Sequence, residues 1–267
     1  MKAKVAERMS RILTLTGALS LGILAAGIGR SLSARSMESF GGGSLTSNRP
    51  VSQPKQLQQS KTIRSNSAFS QAQIDYFMEI AMGSEYNQQG APRIRKWSGD
   101  IRVQAFGNPT SEDLRTLRSV ISEVNGLTGG AIRMQLVTNN PNVTIHFVPE
   151  AQFRRIEPAY IPVNFGFFVT RWDNRGIINR ANVLITTTGV TQKERSHLIR
   201  EELTQALGLM RDSYRYADSM FYQPWTDTPR FSNLDRALIQ MLYLPQIKPG
   251  MTTAEVLRTL NSIQANR

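Results

Sequence analysis

The stretch HLIREELTQALGLMRDS, residues 197–213, has a hydrophobic pattern with helical periodicity. Its apolar side chains recur at the helical spacing of three and four residues, and they include Ile199, Leu203, Ala206 and Leu207. This spacing predicts an amphipathic helix with one buried stripe. Gly208 follows the stripe, and glycine adopts positive φ at little cost, so we predict that the chain turns sharply there.

The first 34 residues have the pattern of an export signal. Two Lys and two Arg precede residue 12, and the run from Ile12 to Gly29 is uncharged and mostly apolar, with small residues after it. This order predicts a signal peptide and a periplasmic or secreted protein. A retained N-terminal membrane anchor is the alternative, because the run is at the short end for a transmembrane helix.

Residues 35–67 are predicted to be a disordered tether, because they are rich in Ser, Gln, Gly and Pro and poor in apolar side chains. The remaining residues, 68–267, are enough for one domain. The chain has no cysteine. Disulfides, thiolate metal sites and a lipid anchor on a cysteine are therefore excluded, and the domain needs an ordinary hydrophobic core.

The formal net charge of +12 is unevenly distributed. Residues 1–64 contain ten Lys or Arg and two acidic residues, whereas residues 65–267 contain twenty-two and eighteen. A nucleic-acid partner requires a basic stripe on the folded domain, and only short groups such as RIRK at 93–96 are present. We therefore expect no nucleic-acid partner, and contact with a membrane only through the N-terminal segment.

Strands and helices alternate along the predicted domain. Strands are predicted at 101–106, 131–137, 142–149 and 181–188, and helices at 108–130, 191–209, 231–245 and 252–266. The turn TNNP predicts that the second and third strands form a hairpin or lie side by side, and residues 163–180 are predicted to be irregular. Ser111 or Asp113 is the predicted cap of the first helix, and Ser232 or Asn233 that of the third. This order predicts an α/β or α+β fold.

Several motifs together resemble the metzincin class of zinc metallopeptidases, namely LGLMRDS, FSNLDRALIQMLYLP and the strand ANVLITTT at 181–188. More closely, residues 74–260 resemble the bacterial family called domain of unknown function 2927, in the pieces YFMEIAMGSEY, RIRKWSGDIRV, DSMFYQ and LYLPQIKPGM. The resemblance implies a zincin-like α+β fold: a small twisted mixed sheet, a central helix of the active-site type and C-terminal helices. It places 181–188 at the edge of the sheet, and it implies no established reaction.

The metzincin pattern is H-E-x-x-H-x-x-G-x-x-H, and the matching run here is Glu201-Glu202-x-x-Gln205-x-x-Gly208-x-x-Arg211. The resemblance puts Glu202 at the position of the general base, and Glu201, Gln205 and Arg211 at the three ligand positions. Gln is a poor zinc ligand and Arg is a cation, so we expect no classical zinc site. Glu201, Gln205 and Arg211 are therefore candidate binding residues. We predict that Glu201, Glu202 and Arg211 form a charge cluster that stabilises the fold.

An alternative site uses His197 and Glu201, four residues apart on one helix, as ligands of zinc or another divalent metal. Glu202 would then act as a general base whose pKa is raised by an apolar environment. Two ligands do not complete a site, and an ordinary surface pair is the simpler interpretation. His146, the other histidine, lies in the alternating strand VTIHFVP and is predicted to face solvent or line an edge.

Three functions are compatible with these residues. The favoured one is an exported pseudoenzyme without a cofactor that binds a peptide or cell-envelope component in the former cleft, with 181–188 offering an edge for β-augmentation. The second is an active metal-dependent hydrolase with a rebuilt site and Glu202 as base, so enzymatic activity stays open. The third is a tethered structural module of the envelope. Phe165, Phe167, Phe168 and Trp172 are aromatic residues that we predict either to line one side of the cleft or to belong to the core.

Overall fold

The computed structural model of the protein describes residues 69–83, 92–162 and 164–265. The predicted export signal and the predicted tether lie outside these residues. Within the described part of the chain, no helix is both long and apolar enough to cross a membrane.

The domain is built on a mixed six-stranded sheet. Its strands are β1 (Lys96–Trp97), β2 (Ile101–Gly107), β3 (Met134–Leu136), β4 (Val143–Val148), β5 (Gly166–Trp172) and β6 (Ile177–Thr186). The strands β3, β2, β4 and β6 lie in that order and are parallel, and β1 is parallel to the beginning of β6. Strand β5 pairs with β6 in the antiparallel direction. The predicted mixed α/β class with a small mixed sheet is confirmed.

Six helices accompany the sheet in the described residues. They are α1 (Gln71–Met82), α2 (Ser111–Leu127), α3 (Phe153–Ile156), α4 (Gln192–Gln205), α5 (Asn233–Leu242) and α6 (Thr253–Ala265), with a 3-10 turn at Glu150–Gln152. A capping box begins α1, α2, α4 and α5, so two backbone N–H groups of each first turn are satisfied. Ser232 is the cap of α5, as predicted. The cap of α2 is Thr110, and Asp113 completes its box, so the prediction of Ser111 or Asp113 as the cap was wrong.

Strands β3 and β4 do not form the predicted hairpin, nor are they neighbours. Both are parallel to β2, and Val103 of β2 has Leu136 of β3 on one side and Val143 of β4 on the other. The chain does change direction at TNNP, where Asn140 has a φ of 47°. An alternating pattern shows which face of a strand is buried, but it does not identify the neighbouring strand.

The edge strand on this side of the sheet is β5, not 181–188. Residues 181–186 of β6 pair with β4 on one side and, through 181–185, with β5 on the other. The prediction that ANVLITTT offers a free edge was therefore wrong, and so was the irregular structure predicted for 163–180.

Helix α4 lies on one face of the sheet, against β5 and β6. Its predicted stripe is buried, with each of Ile199, Leu203, Ala206 and Leu207 at most 1% exposed. Helix α2 packs beside α4. The two helices are joined by a buried ion pair between Arg195 Nε and Asp113 Oδ1 at 2.9 Å, and Gln192 also donates to Asp113 at 2.7 Å.

Candidate functional site

Gly208 allows the chain to leave α4 in the direction that shapes the site. Its φ is 121°, and a Cβ at this position would lie 2.0 Å from the carbonyl oxygen of Arg95. The hydroxyl of Tyr243 donates to the preceding carbonyl, that of Leu207, at 3.0 Å. Only glycine fits this conformation and this close approach, which confirms the predicted turn.

Glu202 lies under the first residue of the edge strand. Its side chain is buried, and a Cβ on Gly166 would lie 2.3 Å from its Oε1. The residue at the general-base position of the metzincin pattern therefore touches the backbone of β5. Gly166 lacks a side chain, and this lack makes the contact possible. The role of Glu202 as a base stays a prediction.

His197 and Glu201 form the predicted pair one helical turn apart. His197 Nε2 lies 3.3 Å from Glu201 Oε2, and its Nδ1 lies 3.0 Å from the carbonyl oxygen of Thr228. The side chain of His197 is only 2% exposed and that of Glu201 is 14% exposed, so this is not the surface pair that was predicted. Burial opposes its charged form, but Glu201, the Thr228 carbonyl and Asp227 outweigh burial and raise the pKa of His197.

The charge cluster predicted for Glu201, Glu202 and Arg211 does not form. Arg211 is exposed, and its aliphatic carbons lie against Gly83 at the end of α1. Glu201 is paired with His197, and no ion pair joins Arg211 to either carboxylate in the described part of the chain. The turn at Gly208 directs Arg211 away from α4. Sequence spacing alone could not show this direction.

The three ligand positions do not fit zinc. Gln205 uses its amide nitrogen to donate to Asp212 Oδ1 at 2.6 Å, Arg211 is a cation, and Glu201 is held by His197. Zinc sites use imidazole, thiolate or carboxylate donors that converge on one point. Among the described residues, no group of three or more His, Cys, Asp or Glu is arranged to hold a metal ion. His197 and Glu201 would supply only two donors.

His146 lies inside the sheet, in β4, between β2 and β6. Its ring stacks on Phe106 with centroids 5.1 Å apart, and its Nε2 lies 3.1 Å from the hydroxyl of Thr144. Partial burial lowers the pKa of His146. Of the two predicted positions, lining an edge is wrong, because the strand has partners on both sides, whereas the side chain is partly exposed to solvent.

Residues 225–228 form a segment beside the site that sequence reasoning did not identify. Trp225 Nε1 donates to Glu194 Oε1 at 3.2 Å, and Asp227 pairs with Lys193 at 2.7 Å. Trp225 also packs edge-to-face on Phe165, with centroids 5.8 Å apart. The segment therefore connects α4 to the residue just before β5. A tryptophan within a polar connection was the only sequence signal for it.

The aromatic residues around β5 belong mainly to the core. Phe167 joins Phe153, Tyr160 and Leu184 in a buried cluster on the face of the sheet opposite Gly166. Phe165 is also buried. Trp172 is partly exposed and has the guanidinium of Arg95 4.1 Å above its ring.

The chain belongs to the family described as protein of unknown function (DUF2927), because the model of that family matches residues 70–262. Among solved structures, the chain is similar to one titled as the crystal structure of myroilysin, at 12% identity and a TM-score of 0.37, over 62% of this chain and 92% of that one. A second structure of myroilysin has 13% identity and a TM-score of 0.34, over 56% and 82%. No curated protein matches the chain.

Proposed function

We propose that the protein is an exported, zincin-like pseudoenzyme that binds an extended peptide segment of a cell-envelope component along β5. The observation that supports this function is the outer edge of β5. In the described residues, β5 pairs with β6 alone, so its other side offers backbone groups to a partner chain. An extended peptide would add to this edge as a further strand.

The register identifies the backbone groups that face outward. The N–H of Thr186 donates to the carbonyl oxygen of Phe165 at 2.9 Å, so these two residues form a hydrogen-bonded pair. Such pairs alternate along an antiparallel ladder. The backbone of Val169 consequently faces β6, whereas the N–H and C=O groups of Phe168 and Thr170 face away from it. A bound peptide would pair with these outward groups.

Binding without zinc chemistry is supported by the donor set on α4. The three ligand positions hold an ion-paired Glu201, a hydrogen-bonded Gln205 and an outward-facing Arg211. Glu202 remains next to Gly166, where its carboxylate would lie beside a peptide on β5. In this proposal, it contributes to recognition of that peptide.

The test replaces one outward N–H. Thr170→Pro removes the N–H that a bound strand would use, whereas Thr170→Val keeps it and changes only the side chain. Both proteins, and the unmodified one, are titrated with fluorescent extended peptides, including the stem peptides of the bacterial cell wall. Binding that is at least tenfold weaker in Thr170→Pro than in Thr170→Val supports the proposal.

Two results would contradict it. The first is equal affinity of the two variants for every peptide that binds. The second is a peptide that is cleaved by the unmodified protein but not by Glu202→Gln, which would indicate a hydrolase. Export is tested separately with a reporter joined after residue 67, and reporter activity confined to the cytoplasm would refute that part.

A further inference from the structure

A second concave site lies between α2 and α4, and none of its lining residues belongs to β5. The cleft has a volume of about 520 Å3. It is lined by Glu112, Arg115, Thr116, Ser119, Gln192, Lys193, Ser196, Arg200 and Pro229. Three of these side chains are cationic, three carry hydroxyl groups, and only one is acidic.

Arg200 is the buried cation of this cleft. Its side chain is 7% exposed, and its Nη1 lies 3.5 Å from Glu123 Oε2. Glu123 also pairs through Oε1 with Arg236, so one carboxylate serves two guanidinium groups. The Nε of Arg200 has no hydrogen-bond partner among the described residues. Arg200 therefore carries positive charge that the protein only partly neutralises, and an incompletely bonded buried cation is costly.

The other two cations that line the cleft are exposed and can change partners. Arg115 pairs with Glu112, and Lys193 pairs with Asp227 at 2.7 Å, but both cations are more than 60% exposed. Exposed ion pairs of this kind contribute little to stability. An anion that enters the cleft could therefore pair with Arg115 and Lys193, because breaking their present ion pairs costs little free energy.

Hydroxyl groups also line the cleft. Thr116 of α2 donates to Ser196 of α4 at 3.2 Å, and Ser119 is one turn further along α2. Hydroxyls both donate and accept hydrogen bonds, so they suit a ligand that carries hydroxyl groups beside its charge. Guanidinium groups suit the oxygens of phosphate and carboxylate.

We propose that this cleft binds the phosphate or carboxylate group of a small hydroxylated ligand of sugar size. Arg200 interacts with the anionic group, Arg115 and Lys193 close over it, and the hydroxyls of Thr116, Ser119 and Ser196 contact the polar body of the ligand. This site is independent of the β5 edge.

The experiment measures binding of inorganic phosphate, glucose 6-phosphate and glucuronate to the protein by calorimetry. The test variant is Arg115→Gln with Lys193→Gln, and the matched control is Arg154→Gln with Arg155→Gln, which removes two exposed cations of α3. We expect binding to weaken at least tenfold in the test variant and less than twofold in the control. Ser119→Leu narrows the cleft without changing its charge, and it should weaken the sugar ligands more than inorganic phosphate.

The relative affinities of glucose 6-phosphate and glucuronate identify which anion the cleft takes. Equal weakening by the test and control pairs would overturn the proposal, since it would mean attraction by general surface charge. Absence of binding to all three probes at millimolar concentration in the unmodified protein would overturn it as well. Far-UV circular dichroism of each variant verifies that the fold is retained.

Discussion

Replacing Gly166 with alanine tests the contact between β5 and the site helix. The added Cβ would lie 2.3 Å from Oε1, 2.8 Å from Cγ and 2.9 Å from Cδ of Glu202. Three atoms of one buried side chain would have to move, although the backbone of Gly166 is in a region that alanine also adopts. The cost of this substitution is therefore steric and not conformational.

The size of the effect follows from overpacking. Inserting a methyl group into a closely packed position costs about 1–3 kcal/mol. For a domain of this size, each kcal/mol lowers the Tm by about 2–4 °C. We thus expect Gly166→Ala to lower the Tm by about 2–12 °C. Gly126→Ala is the control, because nothing lies within 4 Å of its Cβ and it is in helix α2, where alanine is preferred.

A double-mutant cycle by thermal and urea unfolding shows whether Glu202 is the cause. Combined with Glu202→Ala, the Gly166→Ala substitution should cost less than about 0.5 kcal/mol, because the clashing atoms are gone. The reasoning is refuted if Gly166→Ala is as stable as the unmodified protein. It is also refuted if the penalty stays the same after Glu202 is truncated.

Three further substitutions address the charges around α4. Arg195→Ala should destabilise the protein by about 3–5 kcal/mol in urea unfolding, because it leaves the fully buried Asp113 without its cation; a loss below about 1 kcal/mol would contradict this. Arg211→Ala should change stability by less than about 0.5 kcal/mol, because the side chain is exposed, and a larger loss would restore the charge cluster. The pKa of His197 is higher in the folded protein than in the unfolded chain, where it is about 6.5, so protonation of His197 stabilises the fold. This contribution to the free energy of unfolding is complete below about pH 6.5 and is lost as the pH rises through the folded pKa. Glu201→Gln should flatten this dependence in unfolding measurements between about pH 6 and 9, and an unchanged profile would exclude the pair as its origin.

The elements that the sequence predicted well are those set by local signals. Ser232 caps helix α5, which begins at Asn233, because a capping box and an apolar stripe lie within a few residues of each other. The buried stripe of α4 and the turn at Gly208 are equally local. Strand β5 was missed because GFFVTRW combines glycine and aromatic residues without a clear alternation, and its pairing with β6 is decided by tertiary contacts.

The site was harder to predict because its contacts join distant parts of the chain. His197 is buried by Thr228, which lies 31 residues further on, and Glu202 is covered by Gly166. Spacing within a helix predicted the pair of His197 with Glu201, but not its burial. The position of Arg211 depends on the direction of the chain after Gly208 and on packing against Gly83.

Metal content together with chelator-dependent unfolding tests most directly the proposal that the protein functions without zinc. The purified protein is exchanged into metal-free buffer with one equivalent of zinc, and its bound metal and its Tm are measured with and without a chelator. The account predicts far less than one zinc per chain and a Tm unchanged by the chelator. One tightly bound zinc per chain, with a large drop in Tm on chelation that His197→Ala abolishes, would contradict it and would make His197 and Glu201 ligands of a metal site.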